Sequence, residues 1–121
     1  MPEQFARTEL LIGMEAMEKL RRSRVAVFGI GGVGGYVVEA LVRSGVGGLD
    51  LIDHDQVSIT NLNRQIIATL DSVGRDKADV MKERILDINP DESVNLFKCF
   101  FLPENEDDFD LVQYSYVVDA V

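Results

Sequence analysis

The run Gly29-Ile30-Gly31-Gly32-Val33-Gly34-Gly35 constrains the fold more than any other part of this chain. Glycine gives up more backbone freedom on ordering than any other residue, so such a run is poor helix or strand interior. Just before it, Val25-Ala26-Val27-Phe28 is a continuous apolar run of strand length. Just after it, residues 36–44 carry Val37, Val38, Ala40, Leu41 and Val42 in helical order, and Gly45 and Gly47-Gly48 close them. Strand, glycine turn and helix in that order open a parallel α/β unit, whose ligands lie at the carboxyl ends of the strands. The first turn of such a helix presents unpaired N–H groups and positive potential. The spacing Gly29-x-Gly31-x-x-Gly34 therefore suits a phosphate. The structural alternative is that the glycines only let helix and strand pack closely.

The rest of the chain repeats the alternation. Residues 10–20 read as a helix with Leu10, Leu11, Met14, Met17 and Leu20 on its apolar face. Arg21, Arg22 and Arg24 follow, and bases at a helix end complement its dipole without any phosphate. Residues 49–52 form a second buried strand closing on Asp53, and residues 55–69 a polar loop holding a short helix. Ala78, Met81, Ile85 and Ile88 mark an amphipathic helix over residues 77–88, stopped by Asn89-Pro90. Residues 94–101 and 116–118 are expected strands, the last ending on Asp119. The expected fold is α/β, a Rossmann-like, doubly wound, mostly parallel sheet with right-handed crossovers.

Composition narrows the function. The 121 residues fit one domain. There is no apolar run of the roughly 18–20 residues a membrane span needs, and the first residues lack a basic stretch followed by an apolar core. A cytoplasmic location is the expectation. A single cysteine, Cys99, excludes an intrachain disulfide and a Cys-rich zinc ribbon, and reads as a small core residue. The net charge of −9 argues against a nucleic-acid surface on these residues. Two thirds of it sits between Asp91 and Asp110, where seven acids face one base, Lys98, as on a solvated connection.

Asp53 stands 24 residues after Gly29 at a strand end, where a carboxylate accepts hydrogen bonds from a ribose. Glycine turn and acid together match a dinucleotide site, and a nicotinamide enzyme is the generic reading. The next residues fit it less well. Asp55 adds a second acid, Asn61-Leu62-Asn63-Arg64-Gln65 follows, and Lys77 stands in a first helical turn, against the helix dipole. Arg64 and Lys77 suit a triphosphate. Alternatively, Arg64 pairs with Asp53 or Asp55 and Lys77 is merely solvated. His54, with no second ligand at metal-binding spacing, reads as a loop residue.

The set Gly29-x-Gly31-Gly32-x-Gly34, Asp53-x-Asp55, Asn61-x-x-Arg64-Gln65, Lys77 and Asp119 resembles the ThiF/MoeB/ubiquitin-activating (E1-like) adenylating enzymes over almost the whole chain. Residues 28–41 and 114–120 look most like the tRNA threonylcarbamoyladenosine dehydratase branch. The resemblance implies ATP and Mg2+ as cofactors, with Gly31 and Gly32 letting the backbone lie against the phosphates. It implies that Asp53 and Asp55 hold the ribose. Asn61, Arg64 and Lys77 would grip the triphosphate, Arg64 and Lys77 acting in catalysis, and Arg64-Gln65 would shape the phosphate pocket. Arg7 aligns with an arginine that reaches a partner subunit's site in some relatives. A homodimer is implied, and either modified tRNA or the C-terminus of a ubiquitin-like sulfur carrier as substrate. An NAD-binding domain without adenylation is the reading from another class.

In the family, an Asp that helps bind Mg2+ comes just after the point where residue 121 falls, so no metal ligand is assigned within residues 1–121. These residues are expected to be the N-terminal, nucleotide-binding part of an adenylation domain, cut after its fourth strand, binding ATP weakly and not turning over.

Overall fold

The computed structural model describes residues 2–99 and 111–121. Helix α1 (Ala6–Arg22) leads into β1 (Arg24–Phe28), then α2 (Gly34–Ser44), β2 (Gly48–Ile52), α3 (Lys77–Ile88), β3 (Ser93–Phe97) and β4 (Tyr116–Asp119). The four strands form one sheet, all parallel, in the order β3-β2-β1-β4. The chain steps outward from β1 to β2 to β3 and then returns to the other side of β1. The sheet is the expected Rossmann-like one, and α3 has the expected bounds.

The apolar runs of β1 and β2 follow from burial on both faces. On one face Val25, Val27, Leu49 and Leu51 pack against Val38 and Val42 of α2 and Ala78, Met81 and Ile85 of α3. On the other, Ala26, Phe28 and Ile52 gather with Tyr114. Each fully buried aliphatic side chain here contributes about 1.5–3 kcal/mol.

Three boundaries depart from expectation. Helix α2 starts at Gly34, not Tyr36, so two glycines of the run form its first turn. A Cβ on Gly34 would lie 1.7 Å from the carbonyl oxygen of Gly29, so only glycine lets the helix start this close to the strand end. Strand β3 ends at Phe97, while Phe100, Phe101 and the acidic stretch 103–110 lie outside the described residues. The first helix is longer than expected and broken at Gly13 (φ 87°, ψ 164°), a conformation open to glycine.

That break overturns the expected apolar face. Met17 is buried and Leu20 half-buried, but Leu10 and Leu11 are 86% and 87% exposed and Met14 is also exposed. Helical spacing predicts a common face only along an unbroken helix, and Gly13 puts Leu10 and Leu11 out of phase with Met17. Met14 lies on the same side of the break as Met17, and the break does not account for its exposure. Phe5 and Met17 both pack at Gly45, which caps α2 at the end opposite its glycine turn. Thus α1 sits at the amino end of the sheet.

Candidate nucleotide site

A cavity of about 450 Å3 opens at the carboxyl ends of β1, β2 and β4. It lies where the strand order reverses, the usual ligand position in such a sheet, and its size suits a small-molecule ligand. Phe28, Gly29 and Ile30 come from the end of β1, Ile52 and Asp53 from β2, and Ala120 and Val121 from beyond β4. Gly31, Asp55, Asn61, Arg64, Gln65 and Lys77 complete most of its wall.

The turn after β1 is set by backbone geometry and by Asp53. Gly29 has φ 94°, and a Cβ there would meet the Ala120 carbonyl oxygen at 3.0 Å. Asp53 is buried, and its two carboxylate oxygens accept from the backbone N–H of Ile30 and of Asp55, each at 2.7 Å. It thereby fixes the glycine turn to the strand beside it. Each oxygen keeps acceptor capacity for a ligand hydroxyl. Asn61 is also partly committed: its Oδ1 accepts from Ser58 N–H at 2.8 Å within a capping box that shapes the 3-10 helix Ile59–Asn63.

The cations behave differently. Arg64 donates to the Thr60 carbonyl at 3.2 Å and to Asn63 Oδ1 at 2.9 Å, and forms no ion pair with Asp53 or Asp55. Its aliphatic stem lies over Gly32. Lys77 is the first residue of α3 and its side chain is only 7% exposed. The solvated alternative is therefore excluded. Its one acidic neighbour among the described residues is the half-exposed Asp55, at 3.7 Å. A buried ammonium with so loose a partner, at the positive end of a helix, is costly unless an anion completes it. Gln65 adds a second unfilled demand, because its Oε1 is buried without a hydrogen-bond partner.

Of the remaining expected site residues, Gly32 and Gly34 lie behind the cavity wall, against Arg64 and Gly29. Arg7 is exposed on α1, at the other end of the sheet. Two residues set aside on sequence grounds do reach the cavity. Cys99 lines it while packing beside the Phe28 cluster, and His54 lines it and contacts Asp55 through Nε2 at 2.9 Å. For His54, its place beside Asp53 at a strand end was the available signal; Cys99, inside the expected strand 94–101, gave none. Asp53, His54 and Asp55 bring one ligand atom each within 4.8 Å of one another. Asp53 is committed to two N–H groups and Asp55 to His54 and Lys77. The described residues do not by themselves make an oxygen-rich Mg2+ site.

A parallel α/β sheet with a cavity at its switch point, walled by a glycine turn and by Arg64 and Lys77, defines a Rossmann-like fold. The ThiF family model matches residues 5–121, and the chain belongs to that family. It is 51% identical over 120 residues to Bacillus subtilis tRNA threonylcarbamoyladenosine dehydratase, covering 99% of this chain and 47% of that protein. Escherichia coli tRNA N6-threonylcarbamoyladenosine dehydratase, solved in complex with ATP, matches with TM-score 0.95 at 45% identity over 98% of this chain and 49% of that one. Thermus thermophilus sulfur carrier protein adenylyltransferase is 38% identical over 109 residues, covering 90% of this chain and 40% of that protein. The chain spans about half the length of the curated relatives it matches.

Proposed function

We propose that these residues form the ATP-binding part of an adenylating enzyme that dehydrates threonylcarbamoyladenosine on tRNA. The observation that carries this reading is Lys77: a buried ammonium facing the same cavity as the glycine turn, short of counter-charge. The likeness to a dehydratase solved with ATP supports it. Gly31 and Gly32 let the backbone meet the phosphates, and Asp53 and Asp55 hold the ribose. Asn61, Arg64 and Lys77 grip the triphosphate, and Gln65 satisfies its carboxamide on the bound nucleotide.

The substrate carboxylate attacks the α-phosphorus, giving an acyl-adenylate and pyrophosphate. Arg64 and Lys77 stabilise the charge that builds on the leaving pyrophosphate. No protein nucleophile is needed, since positioning supplies much of the rate. Attack by an internal group on the acyl-adenylate then expels AMP and closes a ring, a net dehydration. A homodimer and a cytoplasmic location go with this reading. Arg7 sits beyond the far end of α2, a helix of 11 residues and so about 16 Å long. In this reading Arg7 serves the site of a second copy, and the exposed Leu10 and Leu11 offer an apolar surface for that contact.

The test is AMP release by the whole protein that carries these residues, with tRNA carrying threonylcarbamoyladenosine. Release that depends on the modified tRNA is expected, and its absence sinks the substrate assignment. The likeness to the Thermus adenylyltransferase favours a second reading, a sulfur-carrier C-terminus as substrate. ATP–pyrophosphate exchange stimulated by such a protein and not by tRNA selects it. Tight NAD binding unaffected by ATP overturns both.

A further inference from the structure

The cavity is framed by two helix starts, the glycine turn of α2 and Lys77 of α3. Local bonds hold the backbone of both starts: Asp53 accepts from the N–H groups of Ile30 and Asp55, and the Asp55 carbonyl accepts from the Lys77 N–H at 3.0 Å. Lys98 bridges Asp76 and Asp79 at 3.0 and 2.7 Å. None of these is a direct bond from one helix to the other. That tie lies further down: Arg84 Nε donates to Glu39 Oε1 at 2.6 Å and Arg84 Nη2 to Glu39 Oε2 at 3.0 Å, while Arg43 Nε donates to Oε2 at 3.0 Å. Among the described residues it is the one polar link between α2 and α3. The Glu39 carboxyl is buried, and the Arg84 hydrogen bond, opposed by burial and helped by Arg43, holds it below the usual carboxylate range.

Two apolar helix faces sliding on each other lose little, because burial is non-directional. A two-point guanidinium–carboxylate fork does set an angle and an offset. Arg84 stands seven residues after Lys77, about two turns along the same side of α3. A shift at Arg84 therefore carries to Lys77 through a rigid helix. We infer that Glu39 and Arg84 are positioning residues, whose fork sets the offset of α3 against α2 and so the placement of Lys77 over the glycine turn. The inference rests on the nucleotide reading only for its effect on binding.

The test separates placement from stability. Replacing both partners by apolar residues, Glu39→Leu with Arg84→Met, often leaves a buried pair's stability unchanged or higher. In the full chain, this double variant is expected to keep its melting temperature. Its ligand-free crystal structure should show Lys77 displaced from Asp55 by about 1 Å, and its ATP-to-AMP affinity ratio should fall about tenfold. Lys77 in its original place with an unchanged ratio overturns the inference. A parent protein without ATP affinity sinks the nucleotide reading, and the displacement of Lys77 then decides the inference alone. Should the double variant not fold, Arg84→Lys keeps the charge and loses the fork. A several-fold fall in the ratio is then expected, and no fall overturns the inference.

Discussion

The two ends of one small sheet treat buried charge in opposite ways. Toward the amino end, Asp50 is 3% exposed and accepts from Arg24 at 2.9 Å, from Asn95 at 3.0 Å and from the Tyr114 hydroxyl, while Arg24 also reaches Ser93. The charge there is closed on itself. At the carboxyl end, among the described residues, Lys77 has a loose partner, Arg64 has no carboxylate, and Gln65 Oε1 has no hydrogen-bond partner. A closed network ties β1, β2 and β3 to the segment before β4. An open one leaves polar groups unsatisfied, and in the proposed function the nucleotide completes it.

Disrupting the closed end should cost most in stability. Asp50→Ala leaves Arg24 half-buried without its partner, and denaturant unfolding should show a loss of roughly 3–5 kcal/mol. Nucleotide affinity in whatever remains folded should not change. The open end should respond the other way. Lys77→Ala is expected to hold or raise the melting temperature, yet to cost on the order of a hundredfold in ATP affinity by calorimetry. An equal loss for adenosine would show that Lys77 does not read phosphate.

Gln65→Met should be smaller again. It removes an orphaned acceptor at similar volume, so stability should stay level or rise by up to about 1 kcal/mol, with ATP affinity down several-fold. Glu92 breaks the pattern at the closed end, since its Oε1 is also unpartnered. Burial pushes its carboxyl up from 4.5 to about 7, against a lowering hydrogen bond from Asn89. The folded state then holds the proton more tightly than the unfolded one. Its stabilising effect is present below about pH 4.5 and is lost as pH climbs through about 7. Glu92→Gln should flatten that slope, by about 3 kcal/mol at pH 8, in thermal melts across pH.

The glycine turn, α3 and the ends of β1, β2 and β4 were legible because each is a local pattern: a forbidden conformation, a 3.6-residue period, an apolar run. Lys77 stood out as a cation at the wrong end of a helix. The face of α1 was not legible, since Gly13 breaks the phase that Leu10 and Leu11 would otherwise share with Met17. Nor was the duty of Asp53: its acid was expected to face a ribose, but its position also puts both oxygens against the backbone N–H groups of Ile30 and Asp55.

By itself the sequence determined which segments become strand, turn and helix, and that a glycine turn follows β1, because backbone freedom and apolar period act over a few residues. Only the tertiary structure decided which charges are closed and which are open. Arg24 finds Asp50 across 26 residues and Arg84 finds Glu39 across 45, while Arg64 passes by Asp53 and Asp55. Such pairings depend on distances through space, which the packing of α2 and α3 on the sheet sets and no local pattern encodes.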